Sequence, residues 1–65
     1  MKLVLVKVRD ILRLIDADGW RIVAQKGSHR QFKHAVKKGR VTVPGHPNDD
    51  LHPALEKSIR QQAQL

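Results

Sequence analysis

No cysteine occurs among the 65 residues of this chain. That excludes disulfide reinforcement and any zinc set built on thiolates. Aromatic residues are nearly absent as well, with one Trp, one Phe and no Tyr. So few rings argue against a surface that grips single-stranded nucleic acid by stacking successive bases. The longest aliphatic run, Leu3-Val4-Leu5-Val6, spans four residues. A signal peptide needs roughly 7–15 and a membrane span ~20. Absent thiols fit a cytoplasmic location.

Acidic residues are also scarce. Thirteen Lys and Arg stand against six Asp and Glu, for a formal net charge of +7 and a pI near 10.7. On so small a domain this imbalance is the footprint of a polyanion binder, with nucleic acid or an acidic protein as the guest. A membrane surface fits less well, because neither helical segment joins a large apolar face to a belt of Trp and Phe. A chain of this length buries only about 60% of the surface it exposes when unfolded. A partner or a second copy is therefore expected to reinforce its single core.

Apolar residues at Val8, Ile11, Leu12 and Ile15 follow the i, i+3, i+4, i+7 spacing of a helix face, with Arg9, Asp10, Arg13 and Asp16 elsewhere on the wheel. The helix is expected to end near Asp18, where Gly19 supplies a stop. Before it, Lys2–Lys7 reads as β-like or frayed, with no side chain that caps the helix cleanly. Trp20–Lys26 is rich in aromatic and β-branched residues and reads as a strand closed by the Lys26-Gly27-Ser28 turn. A second strand is expected from His29 or Arg30 to about His34. After a turn at Lys37-Lys38-Gly39, Arg40–Val43 alternates as a third, ended by Pro44-Gly45. Residues 45–50 form a loop of breakers and turn formers. Pro53 opens a last helix, with Glu56 near its positive end, an apolar stripe at Leu55, Ile59 and Ala63, and Lys57 and Arg60 turned away.

The expected architecture is α+β, a single domain over 1–65 with 1–7 as an N-terminal extension. It is an α-β-β-β-α chain whose three-stranded antiparallel sheet has both helices packed on one face. Alternation along the strands then says what the open face carries. If Phe32, Val41 and Val43 point at the helices, Gln31, Lys33, Arg40 and Thr42 point away. His29 shares their parity at the rim. Imidazole is the side chain whose ordinary pKa lies closest to neutrality, and Gly27 before it lets the backbone approach a ligand closely.

The stretches Asp18-Gly19-Trp20, Gln25 to His34, Gly39 to Pro47 and Ser58 to Ala63 resemble, in order and spacing, the HicA toxins. These are small RNA-cleaving proteins of bacterial and archaeal toxin–antitoxin pairs, with a fold like that of double-stranded-RNA-binding domains. The match covers about residues 8–65. It implies metal-independent mRNA cleavage that depends on His29, and neutralisation by a HicB-type antitoxin. Arg30 stands where the family often has a second histidine. Met1–Leu5 extend beyond the usual start, which makes Val6 a candidate natural initiator.

The chemistry the resemblance implies needs no cofactor, because RNA carries its own nucleophile in the 2′-hydroxyl. His29 can act as the base that activates it or as the acid on the leaving oxygen. Lys26 and Arg30 can stabilise charge on the phosphorane, and the N–H groups of Gly27 and Ser28 add donors. Lys33, Lys37, Lys38 and Arg40 are candidate phosphate contacts. Ser28 has no evident carboxylate-oriented partner and reads as a turn former rather than a nucleophile. His46 is the candidate second proton-transfer group, whereas His34 shares parity with Phe32 and His52 reads as a helix-start residue. Trp20 and Phe32 read as core. The four histidines fall on different elements and form no recognisable metal set. Two rival readings are a non-catalytic RNA-binding module and an interaction protein whose basic face docks an acidic partner.

Overall fold

A computed structural model describes residues 5–65. Its first element, α1 (Val8–Ala17), buries Val8, Ile11 and Ile15 on the face the spacing predicts. As expected, the residue before it, Lys7, accepts no hydrogen bond as a side-chain cap. The chain offers no Ser, Thr, Asn or Asp in front of Val8, and the helix is capped from elsewhere. Asp10 accepts the Lys7 N–H at 3.0 Å. The Val8 and Arg9 N–H groups donate to the carbonyls of Asp49 (2.9 Å) and Pro47 (3.0 Å), some forty residues away. These are donors that a helix always leaves unpaired in its first turn. Val6 and Lys7, read as β-like or frayed, follow the first alternative: Leu51 N–H donates to Val6 O at 2.7 Å, and Lys7 pairs with Asp50 as an isolated bridge. The β-like reading of residues 2–4 and the reading of Met1 as an extended start lie outside the described residues. At its other end α1 closes on Asp18 and Gly19, the latter at φ +103°.

Three strands follow, β1 (Trp20–Lys26), β2 (His29–His34) and β3 (Val41–Val43), in the antiparallel order β1-β2-β3. Phe32 lies opposite Ile22 on one side and Val41 on the other, so these three share the helix-facing side. On the outer face Gln31 lies opposite Ala24 and Thr42. Between Ile22 and Ala24 the register shifts at Val23, a bulge that inserts one unpaired residue. Its consequence is local and important. Strict alternation from Trp20 would turn Lys26 toward the helices, whereas the extra residue returns Lys26 to the outer face, opposite His29. Arg40 lies one residue before β3 rather than in it, yet its guanidinium donates to Gln31 Oε1 at 2.7 Å and so lies over the outer face.

The second helix, α2 (Pro53–Gln62), starts at His52, whose Nδ1 accepts the Ala54 N–H at 3.0 Å. Ile59 and Ala63 are buried and Leu55 partly so. Arg60 is not turned away: it is half-buried, folds back on Glu56 at 3.0 Å, and lines an apolar groove with Ile11 and Leu14. Gln62 accepts the outward N–H of Thr42 at 2.9 Å, which covers part of the β3 edge. Both helices lie on the same face of the sheet, over one core of Val8, Ile11, Ile15, Trp20, Phe32, Val41, Val43, Leu51, Ile59 and Ala63. The far half of β1 extends past this cover, leaving Ile22 and Val23 about half exposed (49% and 51%).

A polar latch fastens the two helix ends to the β2–β3 connection. Lys37 Nζ donates to Asp18 Oδ2 at 2.6 Å and to the Ala63 carbonyl, at the end of α2, at 3.2 Å. Trp20 Nε1–H shares the same Asp18 oxygen at 3.2 Å. The Lys37 ammonium, above all through this hydrogen bond, holds the Asp18 carboxyl below its ordinary value of 3.8, against an opposing push from partial desolvation. A depressed carboxylate stabilises the fold fully above the unfolded-state value, and that contribution is lost as pH falls through the lower folded-state value. Thermal melts taken from pH 7 down to 3 are therefore expected to fall on the acid side of that range. In Lys37→Met the neutral-pH melting point should drop and the acid fall should flatten. An unchanged acid slope would mean that Asp18 is not held by Lys37.

Candidate functional site

The β1–β2 connection is a hairpin turn of two residues, because Lys26 pairs directly with His29. Gly27 has φ +58° and Ser28 keeps φ negative, the signs of a type II′ turn, which wants glycine first and matches the twist of the strands. The turn places His29 as the first residue of β2, exposed, with no hydrogen bond to its ring among the described residues. Ser28 Oγ likewise has no hydrogen-bond partner among them, so nothing activates it as a nucleophile.

Charge is distributed unevenly along the chain. Seven of the thirteen Lys and Arg, and none of the six Asp and Glu, fall between Trp20 and Val43. The sheet and its turns thus carry the whole net charge of +7, and the rest of the chain is neutral. Within this set Lys26, Lys33 and Lys38 make no side-chain hydrogen bond or ion pair among the described residues. Arg21 is paired with Asp16 at 3.0 Å, and Lys37 is committed to the latch. An outer face of this kind attracts anions by its summed field as well as by individual contacts.

The predicted site residues separate into two groups. Lys26, His29, Lys33 and Arg40 come together on or over the outer face, with Gly27 and Ser28 at its tip. Arg30 does not join them. It lies opposite Gln25 and Val43 on the helix-facing side, where its Nη1 donates to the carbonyls of Ser28 (3.3 Å) and Gly45 (2.8 Å). The same alternation that exposes His29 turns its neighbour away.

The other three histidines differ sharply in surroundings. His34 is locked: its Nε2–H donates to Asp18 O at 2.6 Å, while Nδ1 accepts from the N–H groups of Val36 and Lys37 at 2.9 and 3.0 Å. Those partners fix the neutral Nε2–H tautomer, and the ring stands edge-on to Trp20 with centroids 5.2 Å apart. A Cβ on Gly19 would lie 2.8 Å from His34 Nε2, so glycine is needed there for space as well as for φ. His52 is the cap of α2. His46 is exposed, in a loop whose turn is closed by its own N–H donating to Asp49 Oδ2 and by Asp49 N–H donating to its carbonyl, both at 2.9 Å. Because Val43 lies opposite Arg30 and the Gly45 carbonyl sits on the Arg30 guanidinium, this loop leaves the sheet at the His29 end. Among the described residues no three His, Asp or Glu side chains gather as a metal set.

Sequence comparison fits this geometry. A family profile described as "HicA toxin of bacterial toxin-antitoxin" matches residues 8–65, which take in every element of the fold. No curated protein sequence gives a significant match to the chain. No helix among the described residues is long and apolar enough to cross a membrane. The chain belongs to the HicA toxin family of bacterial toxin–antitoxin systems, a toxin whose family implies an antitoxin partner.

Proposed function

We propose that this toxin is a metal-independent endoribonuclease acting on mRNA in the cytoplasm, with His29 as its general acid–base. A HicB-type antitoxin would then neutralise it by covering the outer sheet face. The observation that carries the reading is an exposed imidazole, without a hydrogen-bond partner among the described residues, set on the sheet face that also carries Lys26, Lys33 and Arg40. RNA supplies the nucleophile. A base takes the 2′-hydroxyl proton, that oxygen bonds to phosphorus, and the P–O5′ bond breaks as the leaving oxygen gains a proton. The products are a 2′,3′-cyclic phosphate and a 5′-hydroxyl. Lys26, directly across the ladder from His29, stabilises the additional negative charge on the phosphorane. Lys33 and Arg40 hold flanking phosphates, giving affinity without reading sequence.

Antitoxin-free protein incubated with RNA in EDTA is expected to cut it and to leave cyclic phosphate ends. Binding without cleavage would replace the enzyme by an RNA-binding module. Neither binding nor cleavage would leave only a basic docking surface for an acidic partner.

A further inference from the structure

Arg30 has a place in the structure that neither a phosphate ligand nor a solvated cation would need. Its side chain is half-buried on the helix-facing side, and one guanidinium nitrogen bridges two carbonyls from different loops. Ser28 belongs to the turn that presents His29, and Gly45 begins the loop that presents His46. The far side of that loop is fixed independently, by Val8 and Arg9 N–H on Asp49 and Pro47, and by Lys7 Nζ on Asp50 at 2.9 Å. Arg9 Nη1 adds a bond to Asn48 Oδ1 at 2.9 Å. Among the described residues no other sheet side chain hydrogen-bonds to residues 44–50. Without Arg30, no side-chain hydrogen bond among the described residues would join the near end of the loop to the sheet.

We infer that Arg30 is a positioning residue, a clamp that holds the His46 loop in fixed relation to the His29 turn. On the reading in which His46 is the second proton-transfer group beside His29, the two must keep their separation to act on one phosphodiester, and displacement of about 1 Å can cost as much as about 10²-fold in rate. A charged donor on a carbonyl is a stronger tether than a neutral one, and guanidinium presents several donors in a fixed fork. The arrangement also spends a cation on the inside of a face whose outside has others. For its consequence on rate the inference rests on the ribonuclease reading. For the clamp itself it rests on geometry alone.

The test compares Arg30→Met, Arg30→Lys and Lys33→Met with the parent in two assays. In amide hydrogen exchange, Arg30→Met should speed exchange at His46 and Asp49 by about 10-fold, as expected for loss of a charge-assisted hydrogen bond from a local opening unit. Core amides such as Ile59 should be unchanged. Arg30→Lys, with its single ammonium, should fall between, and it covers the case in which the Met variant does not fold. In RNA cleavage, Arg30→Met should lower kcat by about 10–100-fold with little change in KM or salt dependence. Lys33→Met should instead raise KM and reduce the salt slope by about 0.7, the signature of a lost phosphate contact on a single strand. Unchanged loop exchange would overturn the clamp, and faster exchange with an unaltered kcat, or the Lys33 signature in Arg30→Met, would overturn its positioning role in cleavage. A parent that cuts no RNA defeats the ribonuclease reading, and the exchange comparison still decides the clamp.

Discussion

Replacing His29 by alanine is expected to slow RNA cleavage by about 10²–10⁴-fold, the usual contribution of a positioned acid–base group. Folding and RNA binding should hardly change. The ring is exposed and makes no hydrogen bond among the described residues. Removing it therefore leaves no cavity and no orphaned donor, and surface changes of that kind fall within about 0.5 kcal/mol. Affinity should survive because Lys26, Lys33 and Arg40 remain on the outer face. The prediction separates catalysis from binding within a single variant. It is checked by single-turnover cleavage of a labelled RNA beside a binding isotherm and a thermal melt of the same preparation. A variant that cuts as fast as the parent would move the acid–base role to another group, with His46 the next to examine. A variant that loses binding in step with cleavage would make His29 a contact residue instead.

Much of this arrangement was legible in the chain, because it follows from periodicity. The 3.6-residue spacing of Val8, Ile11 and Ile15 placed α1, and the parity of Phe32, Val41 and Val43 assigned the two faces of β2 and β3. The same parity put His29, Gln31 and Lys33 on the open side. Features set by long-range contacts were less accessible. Val23 is a β-branched residue inside a strand-like run, with no Gly or Pro to mark the bulge that returns Lys26 to the outer face. The caps of α1 are carbonyls of Pro47 and Asp49, and backbone acceptors leave no trace in composition. Lys37 looked like any hairpin cation, yet its ammonium reaches Asp18 and the end of α2. Arg30 sat in a motif beside His29, and closeness in sequence suggested a shared task that alternation in a strand denies.

Trp20 is the largest fully buried side chain among the described residues. It meets the edge of His34 and donates its indole N–H to Asp18, so it joins core and latch. Truncating such a ring costs about 3–5 kcal/mol. At roughly 0.05–0.15 kcal/mol per residue, a 65-residue chain has only about 3–10 kcal/mol in total. Trp20→Ala is accordingly expected to lower the melting point by at least about 12 °C, taking about 4–8 °C per kcal/mol for domains of this size. A large fraction of the variant should be unfolded at 37 °C. An antitoxin that binds only the folded toxin shifts this balance: at free antitoxin about 100 times Kd it adds about 2.7 kcal/mol. The same variant should thus be recovered largely folded in the complex. Circular dichroism melts of the variant alone and with antitoxin test both halves. Melting within a few degrees of the parent would mean that the core closes over the missing ring. Failure of antitoxin to raise the variant's melting point would mean that the partner does not discriminate the folded toxin from the unfolded chain.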